Sequence, residues 1–199
     1  MARPSQLAQK RKELIPVVAH AFAEAGYRRM TTAELARRCG LRENVLYRLW
    51  PDKKAMFMAA IDYVYELSAA TWRELIADAP DPKTSTSRLL AYEAGHHGDF
   101  GLYRIVFAGL SETDDPDIRA ALARMYEQFQ QFIRELVEAH RDKDARSPEP
   151  NLAAWALIGL GTVSNITHAL RLLNDAGRTK LMQQAGQCLL GGSRPGRHK

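Results

Sequence analysis

The chain has only two cysteines in 199 residues, Cys39 and Cys188, and they lie far apart in sequence. That excludes a disulfide framework and a clustered zinc motif, and it fits two reduced thiols in a cytoplasmic protein. No apolar run approaches the ~18 residues that a bilayer span needs, so no membrane partner is expected. The opening stretch, MARPSQLAQKRKELIP, has no apolar core of a secretory leader. Convincing period-two alternation is missing and β-branched residues are sparse, which argues against a sheet. There is no Gly-rich phosphate loop, no G-x-S-x-G and no H-E-x-x-H, and the acids and histidines fall at no catalytic spacing. Neither catalytic residues nor a cofactor is therefore expected, and the chain does not read as an enzyme. His96 and His97 point apart if they sit on a helix, and no acidic partner is expected beside them, so no metal site is expected either.

What is present is a lopsided charge. Residues 1–54 hold 12 Lys and Arg against 5 Asp and Glu, a net of +7 within a chain of net +5. The basic excess thus belongs wholly to the N-terminal quarter. A localised excess of this kind is the electrostatic footprint of polyanion binding.

Apolar residues recur at helical spacing almost everywhere. A first helix is expected from about Ser5 to Gly26, kinked or effectively begun at Pro16. Thr31 and Glu34 have the spacing of a reciprocal capping box, opening a helix that Gly40 ends. A short helix covers about residues 42–49 and stops before Pro51. Asp52 caps a long helix over about 53–77. Residues 78–87, DAPDPKTSTS, read as a loop, and the helix after it reaches about Gly95. Further helices are expected over 102–110, from Pro116 onward, over 151–174 and over 179–190. Residues 141–150 read as a polar connection and 191–199 as a disordered tail.

Residues 31–50 form the informative constellation. Leu35 and Cys39 face inward from one helix, Gly40 turns the chain, and Leu41, Leu46 and Leu49 anchor the next helix. Small, glycine and apolar residues occupy the places where two crossed helices need them. That is the pattern of a helix-turn-helix unit, whose second helix enters the DNA major groove.

The stretch MTTAELARRCGLRENVLYRLWPDKKAMF (30–57) resembles the TetR family of bacterial transcriptional regulators. Thr31–Thr32, Leu35–Ala36, Gly40–Leu41, Leu46–Tyr47, Trp50 and Lys53 stand at the family's characteristic places. The resemblance implies an all-α fold: an N-terminal three-helix helix-turn-helix unit (1–52), then a larger helical ligand-binding and dimerisation domain (53–190). It further implies a regulator, usually a repressor, that binds a palindromic operator in double-stranded DNA and is released by a small-molecule effector. A helical protein–protein adaptor without DNA binding is the alternative. Three positions depart from the family pattern: Arg42 stands where a capping Ser is frequent, Val45 where Thr is frequent, and Trp50 where Phe is usual.

Chemistry assigns roles to the DNA-facing residues. Thr32 and Tyr47 can offer hydroxyls to phosphate, and Lys53 can clamp a backbone phosphate. Arg42, Glu43, Asn44 and Arg48 are candidate base readers, since Arg suits guanine, Asn adenine and Glu cytosine. Arg3, Lys10, Arg11, Arg28 and Arg29 are expected to add non-specific attraction.

Leu152, Ala156, Gly159, Val163, Ile166, Leu170 and Leu173 are spaced 4, 3, 4, 3, 4, 3, a heptad seam. With helix 179–190, it is expected to form a homodimer interface. Aromatic and polar residues of the middle and late helices are candidates for effector binding: Tyr92, Tyr103, Phe107, Trp155, Asn165 and His168.

Overall fold

The computed structural model describes residues 3–140 and 149–190. Among the described residues there are nine α-helices and no strand. They are α1 (Arg3–Ala25), α2 (Thr32–Arg38), α3 (Glu43–Leu49), α4 (Lys53–Ile76), α5 (Pro82–His96), α6 (Tyr103–Leu110), α7 (Pro116–His140), α8 (Pro150–Ala169) and α9 (Asp175–Leu189). The all-α expectation holds. The expected tail and most of the polar connection lie outside the described residues.

The helices fall into two packing units, the first being Met1–Ser68 with Phe100–Tyr126, the second Ala69–Asp99 with Glu127–Lys199. In the first unit α1 packs against α2, α3 and α6, and α2 against α3. Val18, Ala19 and Phe22 of α1, Leu35 and Ala36 of α2, Leu46 and Leu49 of α3, and Phe57 and Ile61 of α4 are all buried. Phe22 meets Phe57 edge-on with ring centroids 5.0 Å apart, and Tyr27 lies 4.7 Å from Phe57. In the second unit α9 packs against both α5 and α8.

Local chemistry sets the boundaries. α1 runs through Pro16 and ends at Gly26, whose φ of +76° suits glycine. The Thr31 hydroxyl caps α2 by accepting from the Glu34 amide at 3.2 Å. The return half of the expected capping box does not form. Glu34 instead accepts from Arg37 and Arg38, which offer it charge-assisted bonds of 2.7 and 2.8 Å. Asp52 caps α4 through the Ala55 amide, and Asp115 caps α7 through the amides of Asp117 and Ile118.

Three expected boundaries need correction. Residues 82–87 are helical and not loop. Asp81 accepts from the Thr84 amide and Pro82 occupies the first turn, where its missing N–H costs nothing. Residues read as loop composition are thus a helix start. The helix expected over 151–174 ends at Ala169, where Arg171 takes a φ of +55° and turns the chain. Leu170 and Leu173 therefore lie beyond α8. The last helix begins at Asp175 rather than 179, because Asn174 caps it by accepting from the Gly177 amide at 2.8 Å.

Candidate functional site

The α2–turn–α3 corner is built as its residues dictate. Gly40, at φ +65°, makes the turn, and the Leu41 amide donates to the Ala36 carbonyl at 2.9 Å. Leu35, Leu46 and Leu49 are sealed behind it, and Trp50 is buried as a packing residue. Two long cations pin the corner to its neighbours. The Arg11 Nε donates to the Leu49 carbonyl at 2.6 Å. The Lys53 ammonium donates to the carbonyls of Tyr27 and Met30 at 3.1 and 3.2 Å and sits 4.6 Å from the centre of the Tyr27 ring.

Arg42, Glu43, Asn44, Tyr47 and Arg48 are all exposed on α3 and its N-cap. Arg42 makes no capping bond, as expected where Ser would have capped. The structure joins three of the candidate residues. The Tyr47 hydroxyl donates to Thr32 Oγ1 at 3.1 Å, and the Thr32 hydroxyl donates to Glu43 Oε1 at 2.7 Å. Lys53, with two of its three N–H groups engaged, is partly a structural pin. Of the other basic residues, Arg28 pairs with Glu112 at 2.7 Å and Arg29 donates to the Ala25 carbonyl at 2.9 Å. Bonds from Arg37 and Arg38 hold the half-buried Glu34 carboxyl down to about 2. Asp117 and Asp115 hold the Lys54 ammonium up to about 12. Glu34 and Lys54 thus stay charged across the physiological range.

The second unit contains a polar cluster that the sequence reading missed. His97 Nδ1 lies 2.5 Å from Glu93 Oε2, and the Trp72 indole N–H donates to Glu93 Oε1 at 2.6 Å. His97 Nε2 lies 3.1 Å from Asn165 Nδ2, and the His97 carbonyl accepts from Arg178 at 3.4 Å. With the Asn165 amide donating, Nε2 of His97 accepts and Nδ1–H donates to Glu93. Asn165 Oδ1, Ser164 Oγ and Arg178 Nε are buried without a protein hydrogen-bond partner. The expectation that the histidines lack acidic partners is wrong: His96 also faces Asp99, at 3.0 Å. The Glu93–His97 spacing of four residues was the available signal. It places both side chains on one helix face.

The other effector candidates are dispersed. Tyr92 is half-buried and stacks near His96, with ring centroids 4.8 Å apart. Tyr103 is buried and meets the Phe107 ring edge-on, and both belong to the first unit. Trp155 and His168 are exposed on α8. All seven seam residues are also exposed in the single chain, Leu152 at 63% and Val163 at 47% among them.

A three-helix head whose third helix, α3, exposes Arg48 and has Arg42 at its N-cap is a helix-turn-helix arrangement. Residues 18–60 match the family model for bacterial regulatory proteins of the tetR family, and this chain carries that family's N-terminal domain. Over 162 residues the chain is 25% identical to the nucleoid occlusion factor SlmA of Vibrio vulnificus, covering 78% of this chain and 81% of that protein. The fold is similar to a crystal structure described as a TetR-family transcriptional regulator from Rhodococcus sp.. That likeness has a TM-score of 0.76 and 18% identity, covering 92% of this chain and 99% of the other. It is also similar to a transcriptional regulator from Saccharomonospora viridis in complex with choline, with a TM-score of 0.73 and 16% identity over 92% of this chain and 96% of that one. Among the described residues no helix is long and apolar enough to cross a membrane.

Proposed function

We propose that the protein is a homodimeric repressor that binds a palindromic operator and is released by a small-molecule effector. The observation that carries the dimer is the exposed apolar face of α8. Leu152, Trp155, Val163 and Ile166 stand in solvent there, with no Cβ contact at Gly159 to hinder a close partner. Monomeric proteins seldom leave such a continuous stripe uncovered. A twofold axis through it sets two reading heads on two half-sites. The domain reading follows: residues 1–52 read DNA, and 53–190 sense and dimerise.

At each half-site Arg42, Asn44 and Arg48 read bases while Thr32 and Tyr47 meet phosphates. Lys53 keeps one N–H for the backbone. Simultaneous Arg42→Ala and Arg48→Ala lowers affinity for a palindrome taken from DNA flanking the gene by at least tenfold, since one good bidentate base contact is worth about 1–3 kcal/mol. The variant also has a shallower dependence of affinity on salt. Fluorescence anisotropy across a salt series measures both. Unchanged affinity excludes these residues as readers, and an absence of duplex binding in the parent protein favours the adaptor alternative.

The effector seat rests on the unpartnered polar atoms of the second unit, which a ligand's own donors and acceptors satisfy. Asn165 is the effector candidate among them. Trp72 belongs to α4, the helix that starts at Lys53, so a ligand that disturbs the Trp72–Glu93 bond acts on α4 directly. A preference of ~1–3 kcal/mol for the non-binding state is enough to shift occupancy. For a compound that releases the protein from its operator, Asn165→Leu retains DNA binding and loses release. Release that persists unchanged places the effector elsewhere.

Similarity to a nucleoid occlusion factor over most of the chain supports a second reading, in which DNA binding serves that role without a small-molecule effector. Failure of every metabolite pool to release the operator favours it.

A further inference from the structure

The Tyr47–Thr32–Glu43 relay has a direction. The Tyr47 hydroxyl donates a hydrogen bond to Thr32 Oγ1, and the Thr32 hydroxyl donates one to Glu43 Oε1. A DNA phosphate, like a carboxylate, can only accept. The Thr32 hydroxyl therefore cannot serve a phosphate while Glu43 holds its proton. That bond is charge-assisted and is the stronger of the two. Glu43 also brings a negative charge to the surface that a phosphate must approach.

We infer that Glu43 is a specificity-determining residue that holds the Thr32 and Tyr47 hydroxyls in an acceptor-occupied state until a cytosine amino group takes its carboxylate. The inference rests on the DNA-binding reading above. A carboxylate released from Thr32 needs a new donor. Arg37 and Arg38 are already committed to Glu34 on the neighbouring helix. In the major groove the base edge that offers a donor without an adjacent acceptor is cytosine N4. On a sequence with cytosine in reach, Glu43 swings to the base and both hydroxyls pass to phosphate. On other sequences the carboxylate either stays on Thr32 and repels the backbone or leaves and goes unpaired. Backbone clamping is thereby made conditional on base identity, and Glu43 suppresses non-specific binding as much as it promotes specific binding.

Two variants and two readouts test this. Glu43→Gln removes the charge and Glu43→Ala removes the acceptor. The side chain is exposed, so both fold, with thermal melts confirming it. On a random-sequence 30-base-pair duplex at fixed salt, Glu43→Ala binds roughly tenfold more tightly than the parent protein, and Glu43→Gln, whose amide oxygen still accepts from Thr32, gains less. In the Thr32→Val background most of that gain disappears, because no hydroxyl remains to be freed. In selection from a randomised duplex library, parent sites carry a cytosine at one fixed position per half-site, and Glu43→Ala sites do not. An equal gain in the Thr32→Val background reduces Glu43 to a plain surface charge and overturns the inference. So does a selected position that is the same with and without Glu43. If the parent protein shows no salt-dependent affinity for any duplex, the DNA-binding reading fails first and takes this one with it.

Discussion

Val163→Asp together with Ile166→Asp yields a folded monomer whose operator affinity is lower by about a hundredfold or more. Both side chains are exposed in the isolated chain, at 47% and 40%, and neither belongs to the chain's buried core. Across a twofold axis they would bury four carboxylates in an apolar seam. Burying even one unpaired charge costs several kcal/mol. Loss of the dimer turns a two-headed grip into two independent half-site encounters. Linking two binding heads typically multiplies affinity by about 10²–10⁴, and that factor is what the variant forfeits. Sedimentation velocity reads the oligomeric state, circular dichroism the fold, and anisotropy on the operator the affinity. A variant that still sediments as a dimer rules this face out as the interface.

Phe57→Ala destabilises the DNA-binding unit by about 3–5 kcal/mol, the usual cost of emptying a buried aromatic site. Phe57 is fully buried between Phe22 and Tyr27, and those two rings come from the end of α1 and the turn after it. The same Tyr27 ring supports the Lys53 ammonium. Removing Phe57 therefore loosens the seat of α4 as well as the core. For a chain of this size the melting temperature falls by roughly 6–20 °C. Phe57→Leu keeps most of the volume and loses much less. A differential scanning calorimetry shift below about 2 °C for Phe57→Ala sinks the claim that this ring organises the unit.

The helix-turn-helix was legible because its signals are local and redundant. Gly40 needs its positive φ, Thr31 caps, Pro51 stops α3, and Leu35, Leu46 and Leu49 repeat at helical spacing. Each acts within a few residues of itself. Boundaries misread elsewhere have equally local causes that compete. Asp81–Pro82 is both loop composition and a helix start. Leu170 and Leu173 continue a heptad in sequence, yet the chain turns at Arg171 before the second of them is reached.

The polar cluster was illegible for a different reason. Trp72, Glu93, His97, Asn165 and Arg178 come from four helices, and their meeting depends on how those helices pack. Gly161 illustrates the point: a Cβ there would lie 2.9 Å from the His97 ring, so its lack of a side chain is what admits the histidine. No spacing rule announces that. The same limit applied to Glu43, which reads as a base-contacting acid on sequence grounds and proves to hold the Thr32 hydroxyl.

By itself, then, the sequence determined the all-helical class, the helix-turn-helix corner and the apolar stripe of α8, since propensity, capping and periodicity act between residues close along the chain. The tertiary structure alone decided which polar groups meet, which of them are left without a partner, and which apolar face stays in solvent. Those outcomes depend on contacts between helices distant in sequence, where geometry rather than residue order selects the partner.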